Sequence, residues 1–395
     1  MTTTDARLCP SSTVGEIEDA LRHAIEGDVY SLSRPAYQIK CREIGRVVHF
    51  RGIIELGNRC RRNCLYCGIR AGNRNVGRYM MSAAEIAEAT RFASDAGYGA
   101  VVLQSGELTG ARFTSFIENV VEHIRAGTPD GFGITLSLGE QSPETYRRWL
   151  NAGANRYLLR IETSNPALFA RIHTGAQNFE ARRKCLRVLR DLGYQVGTGV
   201  IIALPGQSFQ DMARDIDFFR EIDADMIGMG PYLPHRDTPM GRRTPPPDEQ
   251  RREYLLNAGL AMIAATRLVM RDVNIAATTV MQALSPVGRE LAILAGANVI
   301  MPNLTPVRYR ASYQLYDDKP CVDEGAAQCR SCIDRRIRSI GEAVAVNEVG
   351  DPPHFTKRMG RHVPRPAAAS TSILSSDASA PSETSAGTST TPYIS

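Results

Sequence analysis

No stretch of the chain approaches the roughly 20 consecutive apolar residues that a helix needs to cross a bilayer, which argues against a membrane protein. The opening, MTTTDARLCP, has no apolar core of the kind a secretory leader carries, so the cytoplasm is the expected compartment. There thiols stay reduced, and clustered cysteines more often hold metal than form disulfides. A basic stripe interleaved with aromatics is also missing: 47 Lys and Arg are interspersed with 42 Asp and Glu, for a net charge of +5. Nucleic acid is therefore not an expected partner, and the charges read as a solvated exterior.

The 395 residues are 43% hydrophobic, enough to bury a large core. Short apolar runs alternate with longer amphipathic stretches, and the junctions share one grammar. In SDAGYGAVVLQ, LNAGANRYLLR, RDLGYQVGTGV and ILAGANVIMPN a helix ends, a glycine (Gly97, Gly153, Gly193, Gly296) takes the left-handed cap, and a strand follows. REIDADMIGMG places Asp223 where the others have Gly. Ser82 with Glu85 reads as a capping box, and Ser142-Pro143, Asn165-Pro166 and Ser285-Pro286 read as N-caps followed by an N1 proline. Strands are expected near 48–56, 99–104, 133–138, 155–161, 196–202, 225–229, 272–278 and 297–301. Eight such units predict an α/β fold, a (β/α)8 TIM-type barrel, with a doubly wound open sheet as the alternative. The expected division is an N-terminal helical lid at 1–46, the barrel at 47–309 and a cysteine-containing extension at 310–363. A tail rich in Ala, Ser, Thr and Pro at 364–395 is expected to be disordered, because it cannot bury enough apolar surface to offset its ordering entropy.

One short loop carries the chemistry. NRCRRNCLYCGIR, residues 58–70, spaces Cys60, Cys64 and Cys67 as C-x3-C-x2-C directly after the first strand, at the end of a barrel where active sites sit. Thiolates are the usual ligands of iron–sulfur clusters. Three of them leave one iron of a cubane open to an outside molecule. Zinc is the rival, but structural zinc takes four ligands, and neither His49 nor another nearby histidine completes a set.

With Tyr66 before the last cysteine, this loop resembles the radical S-adenosylmethionine superfamily. The resemblance implies a 4Fe–4S cluster on Cys60, Cys64 and Cys67, with S-adenosylmethionine on the fourth iron. One electron from a donor then cleaves the sulfonium and releases a 5′-deoxyadenosyl radical. Glu107 in LQSGE stands where the superfamily holds the cofactor's amino group, although an ordinary helix-proximal acid would also fit. Thr135 and Ser137 suit ribose or carboxylate, and Arg160 and Glu162 share one strand face. Arg182 suits the cofactor carboxylate, with a surface helix arginine as the plainer reading, and LPGQ at 204–207 resembles the turn backing the adenine. Tyr66, Gln104, Met301 and Tyr313 complete the expected cofactor contacts.

A finer resemblance, to the HydE family of FeFe-hydrogenase maturases, runs from about residue 40 to residue 335. It is carried by NRNVGRYMMSAAEI, VVLQSGE, TLSLGE, AGANRYLLRIETSNP, GPYLPHRDTPM, PVGRE and AGANVIMPNLTP, and by SYQLY. It implies a part in building the hydrogenase diiron subcluster, with the radical attacking the sulfur of a small organometallic iron compound carrying cysteine, carbon monoxide and cyanide. HydG would deliver that compound and HydF receive the product. Arg156, Thr278, Thr279 and Tyr316 are the expected guest contacts, with core packing an equal reading for Thr279. Biotin synthase and methylornithine synthase share the barrel, and a radical enzyme of that class on a small organic substrate is the alternative. A non-catalytic iron–sulfur carrier would have no use for Glu107, Arg160 and Arg182.

Cys321, Cys329 and Cys332, spaced C-x7-C-x2-C, form a second set. The resemblance implies an accessory iron–sulfur site, against unused thiols or a disulfide. Cys9, Cys41 and Cys185 stand alone and read as packing or exposed thiols.

Overall fold

The computed structural model describes residues 8–175 and 177–360. The expected disorder at 364–395 falls outside them. Among these residues eleven strands are formed, all pairing in parallel: β1 (Val47–Gly57), β2 (Ala100–Ser105), β3 (Gly133–Ser137), β4 (Arg156–Leu158), β5 (Gln195–Thr198), β6 (Ile201–Ile202), β7 (Met226–Ile227), β8 (Gly230–Pro231), β9 (Asn274–Ile275), β10 (Val299–Ile300) and β11 (Ala343–Ala345). The sheet runs β10-β1-β2-β3-β4-β5-β7-β9, while β6 and β8 pair as outward continuations of β5 and β7. The last seam is narrow: Ala276 bridges Val299, and Ala277 N–H donates to Val299 O at 2.8 Å. Eight strand positions thus close into the expected barrel, which displaces the open-sheet alternative.

The junction grammar is met. Gly97, Gly153, Gly193 and Gly296 have φ of 76°, 117°, 92° and 113°, and Asp223 takes φ 54° in the same role. Ser82 with Glu85 closes a capping box, and Ser142 and Asn165 cap helices that begin on proline. Ser285 does not. It closes the helix Thr279–Leu284, and the next helix starts two residues after Pro286, at Gly288.

The terminal segments depart from expectation. Residues 14–43 form two helices, Val14–Glu26 and Tyr30–Glu43, that pack against the outer helices Phe209–Glu221 and Glu249–Val269. They clasp the barrel's flank, and none of their residues borders the mouth cavity. The C-terminal extension supplies the helix Ala326–Ser339 and β11, whose Val344 pairs in register with Val48. The chain then crosses the floor of the barrel, where Asn347 N–H donates to Gly97 O and the Gly350 carbonyl accepts from Arg51 and Asn274. This floor strap had no signal in the hydrophobic pattern.

Candidate active site

The loop after β1 is pinned from several sides. Arg61 N–H donates to Glu107 O at 2.8 Å, Leu65 N–H to Ile172 O at 2.9 Å, and Gly68 N–H to Leu315 O at 3.0 Å. It also rests on the end of β2: a Cβ at Gly106 would stand 2.4 Å from Arg59 O and 2.7 Å from Cys60 Cβ, so only glycine lets the two backbones approach. Burial pushes the thiols of Cys60, Cys64 and Cys67 upward. The charges of Cys64 and Cys60 raise Cys67 further, so the three sulfurs act on one another. Three mutually repelling thiolates in a half-buried loop need a cationic occupant to ionise together. Among the described residues no three Cys, His, Asp or Glu side chains converge as a single metal ion would require. Cysteine thiolates are the usual protein donors to an iron–sulfur cluster. The donor set therefore fits the cluster that the spacing implies.

Around the loop the mouth carries an alternating ladder of charge. Glu107 accepts from Arg62 Nε and, at 3.0 Å, from Glu140 N–H. Arg62 and Arg182 each reach Glu140 at 2.7 Å, and Arg182 donates on to Arg160 O at 3.0 Å. Gly139, at φ 77°, makes room for Glu107, since a Cβ there would come within 2.4 Å of Oε2. Burial opposes the charge of Arg182, but Glu140, Tyr66 and Glu162 outweigh it and the guanidinium is held firmly protonated. Arg160 donates to Glu162 at 3.0 Å and to Val200 O at 2.7 Å. Glu162 sits at φ 69°, a costly conformation for a side chain without a local reason, and such strain gathers at functional sites.

These groups open on one cavity of about 380 Å³ inside the barrel mouth. The structure brings to it most of the residues expected from sequence: the three cysteines, Tyr66, Gln104, Glu107, Ser137, Arg160, Glu162, Arg182, Met301 and Tyr313, with Thr278, Thr279 and Tyr316. Gln104 Nε2 donates to the Tyr313 hydroxyl at 3.2 Å. Leu204 of the LPGQ turn packs with Ile201 and Tyr232 behind Tyr66. Cys321 and Cys329 border the same cavity, and Cys332 does not.

Two expected residues are elsewhere. Arg156 opens β4, so it lies at the floor, 2% exposed, where it donates to Gln195 Oε1 at 3.1 Å and Val349 O at 2.8 Å and pairs with Asp351. It is not a guest contact. Thr135, whose register partner is Arg156, lies in the layer below the cavity, its hydroxyl buried and unbonded. Ser137, two residues on, is the one that lines the cavity.

Sequence reasoning passed over Arg62, Glu140, Gln177, Glu55, Lys319 and Arg289. Gln177 meets Cys64 Sγ at 3.4 Å. Glu55, buried on β1, holds Lys319 and accepts from Asn303 at 3.2 Å. Glu140 was within reach, since TLSLGE puts it just past a strand end; Lys319 depends on the path of the extension, which no pattern foretold.

Residues 54–219 match the Radical SAM superfamily, and with the barrel and the cysteine loop this defines a radical S-adenosylmethionine enzyme. The FeFe hydrogenase maturase subunit HydE of Thermotoga maritima is 42% identical over 82% of this chain and 90% of its own length. The chain belongs to the HydE family. Biotin synthase 2 of Frankia casuarinae is 26% identical over 56% of this chain and 62% of its own length. The fold is shared with methylornithine synthase (TM-score 0.71, 22% identity, 85% of this chain and 94% of that one). It is shared equally with HydG from Carboxydothermus hydrogenoformans (TM-score 0.71, 17% identity, 87% and 78%). Among the described residues no helix is long and apolar enough to cross a membrane.

Proposed function

We propose that this enzyme acts in assembly of the FeFe-hydrogenase diiron subcluster, on a small cysteine-bound iron compound carrying carbon monoxide and cyanide. The observation that carries the reading is the single cavity that joins the cysteine loop to Thr278, Thr279 and Tyr316, in a chain 42% identical to a hydrogenase maturase. Cys60, Cys64 and Cys67 would hold the 4Fe–4S cluster, whose chemistry with S-adenosylmethionine is one-electron cleavage to a carbon radical. Glu107 is suited to the cofactor's ammonium, and Arg160 and Arg182 to its carboxylate. Gln104, Ser137 and Tyr313 offer further hydrogen bonds, while Tyr66, Met301 and Tyr316 supply apolar walls that keep water from a reactive radical. Cys321, Cys329 and Cys332 are proposed to hold an accessory cluster on the 310–363 extension. HydG and HydF are the proposed partners, with an electron donor besides.

Hydrogen evolution from a co-expressed FeFe-hydrogenase, in cells lacking their own HydE but supplied with HydF and HydG, is the test. Activation is the expected outcome. A protein that cleaves S-adenosylmethionine yet leaves the hydrogenase inactive would belong instead with the biotin synthase and methylornithine synthase chemistry.

A further inference from the structure

Two non-glycine residues beside the chamber sit in the left-handed region, Glu162 at φ 69° and Ala203 at φ 56°. Both conformations are costly for a residue with a Cβ, and they persist only where the surrounding structure holds them. The two lie on adjacent segments: Glu162 bridges Val200, and Ile201 N–H donates to Glu162 O at 2.9 Å. One buried group grips both segments from behind. Asp215, fully buried on the helix Phe209–Glu221, accepts from Ser164 N–H at 2.6 Å and from Gln207 Nε2 at 3.0 Å. Gln207 Oε1 takes Leu204 N–H at 3.1 Å, so its NH2 end is the one that faces Asp215. One turn earlier on the same helix, Asp211 accepts from Asn165 Nδ2 at 2.8 Å. Both donors to Asp215 are neutral amides. A carboxylate buried among neutral groups is costly, and what this one secures is the position of two strained segments.

On the far side of those segments is the chamber. Glu162 lines it and accepts from Arg160, while Ile201 and Leu204 pack with Tyr66 and Tyr232. Asp215 itself stands outside the cavity lining. Two donors converge on it, and a carboxylate accepts from both, whereas an asparagine would turn an N–H against the Gln207 amide. We propose that Asp215 is a positioning residue for S-adenosylmethionine, fixing segments 162–165 and 203–207 so that the wall they form is ordered before the cofactor arrives. Its part is preorganisation: a loose wall would have to be ordered on binding, which weakens affinity and leaves the bound arrangement as it was. The inference rests on the assignment of this wall to the cofactor.

Burial raises the Asp215 pKa from 3.8 to about 7, so the test is made at about pH 8, where the carboxylate prevails. In Asp215→Asn, equilibrium binding of S-adenosylmethionine to the reconstituted enzyme should weaken about tenfold. Release of 5′-deoxyadenosine at saturating cofactor should change by less than about twofold. Amide exchange of the cluster-free protein, read by mass spectrometry, should quicken in 162–165 and 203–207. Gln207→Glu alone sets two carboxylates face to face and should weaken binding as well. Asp215→Asn combined with Gln207→Glu exchanges the roles: the asparagine amide donates, and the carboxylate at 207 accepts from it and from Leu204 N–H. Affinity and slow exchange restored in that pair are the expected result. If Asp215→Asn does not fold, Gln207→Met carries the test, with faster exchange at 203–207 and weaker binding. Unchanged affinity in the folded variant, a saturated rate that falls as far as the affinity, or a paired exchange that restores nothing overturns the proposal. No binding of S-adenosylmethionine by the unmodified protein would overturn the cofactor assignment of the wall, and the proposal with it.

Discussion

Both ends of the barrel bury arginines, and they are treated in opposite ways. At the floor, Arg51 and Arg156 are 1% and 2% exposed and are met by the chain itself: the carbonyls of Val349 and Gly350, the Gln195 amide oxygen and the Asp351 carboxylate. Burial lowers Arg51, and the charge of Arg156 lowers it further, so the strap answers a cost that the barrel creates. At the mouth, Arg62, Arg160, Arg182 and Arg289 surround open space. The floor spends its cations on closure; at the mouth Arg62, Arg160 and Arg182 pair with Glu107, Glu140 and Glu162 around the chamber. The same residue type on the same inward face therefore means stability at one end and chemistry at the other.

The largest separation should come from the mouth. Cys64→Ser removes a cluster ligand and should abolish release of 5′-deoxyadenosine from S-adenosylmethionine under reducing conditions, with the fold kept by circular dichroism. Unchanged cleavage would mean that the loop is not the cluster site.

Next in size is Glu140→Ala. It strips a half-buried carboxylate from two guanidinium groups, Arg62 and Arg182. A loss of about 2 kcal/mol of stability is expected, as when a charged hydrogen-bond partner is removed, together with weaker S-adenosylmethionine binding. Stability lost with cofactor affinity intact would make the ladder merely structural.

Arg156→Met sharpens the other side of the comparison. It leaves Asp351 without its guanidinium and should cost about 2 kcal/mol, read as a lower urea midpoint. Cofactor cleavage and hydrogenase activation should survive, because Arg156 is remote from the cavity. Lost activation in a folded variant would return it to the guest site.

How much of this was open to a reader of the sequence follows from the same residues. The helix ends and strand starts were, because Gly97, Gly153, Gly193, Gly296 and even Asp223 sit at positive φ where local sterics decide the outcome. The cysteine spacing placed the site. Height within the barrel was misjudged: alternation says that Arg156 points inward, but only its place as the first residue of β4, against Arg160 beyond the strand's end, says which end it serves. The strap and Lys319 were out of reach, because they reach the barrel through contacts between residues far apart in the chain, such as Lys319 with Glu55.

The smallest effect expected is a pH dependence of the floor. His354 donates to Asp223 and Asp272, which raise its pKa from 6.5 to about 9. A raised folded-state value gives stability that is complete below about pH 6.5 and fades as the pH climbs through about 9. The unfolding midpoint should fall modestly across that window, and His354→Gln should flatten the decline. An equal slope in both proteins would remove the histidine from the account.

The pairing of β11 with β1 also sets an order of events. β1 leaves the ribosome before the other described strands, yet its partner Ala343–Ala345 and the strap behind it are among the last described segments to be made. Until they arrive, the nascent barrel is a tube open at both ends, with Arg51 and Arg156 in contact with water. Closure of the floor is then the step that turns the tube into a cup, and from that moment traffic is left to the mouth alone.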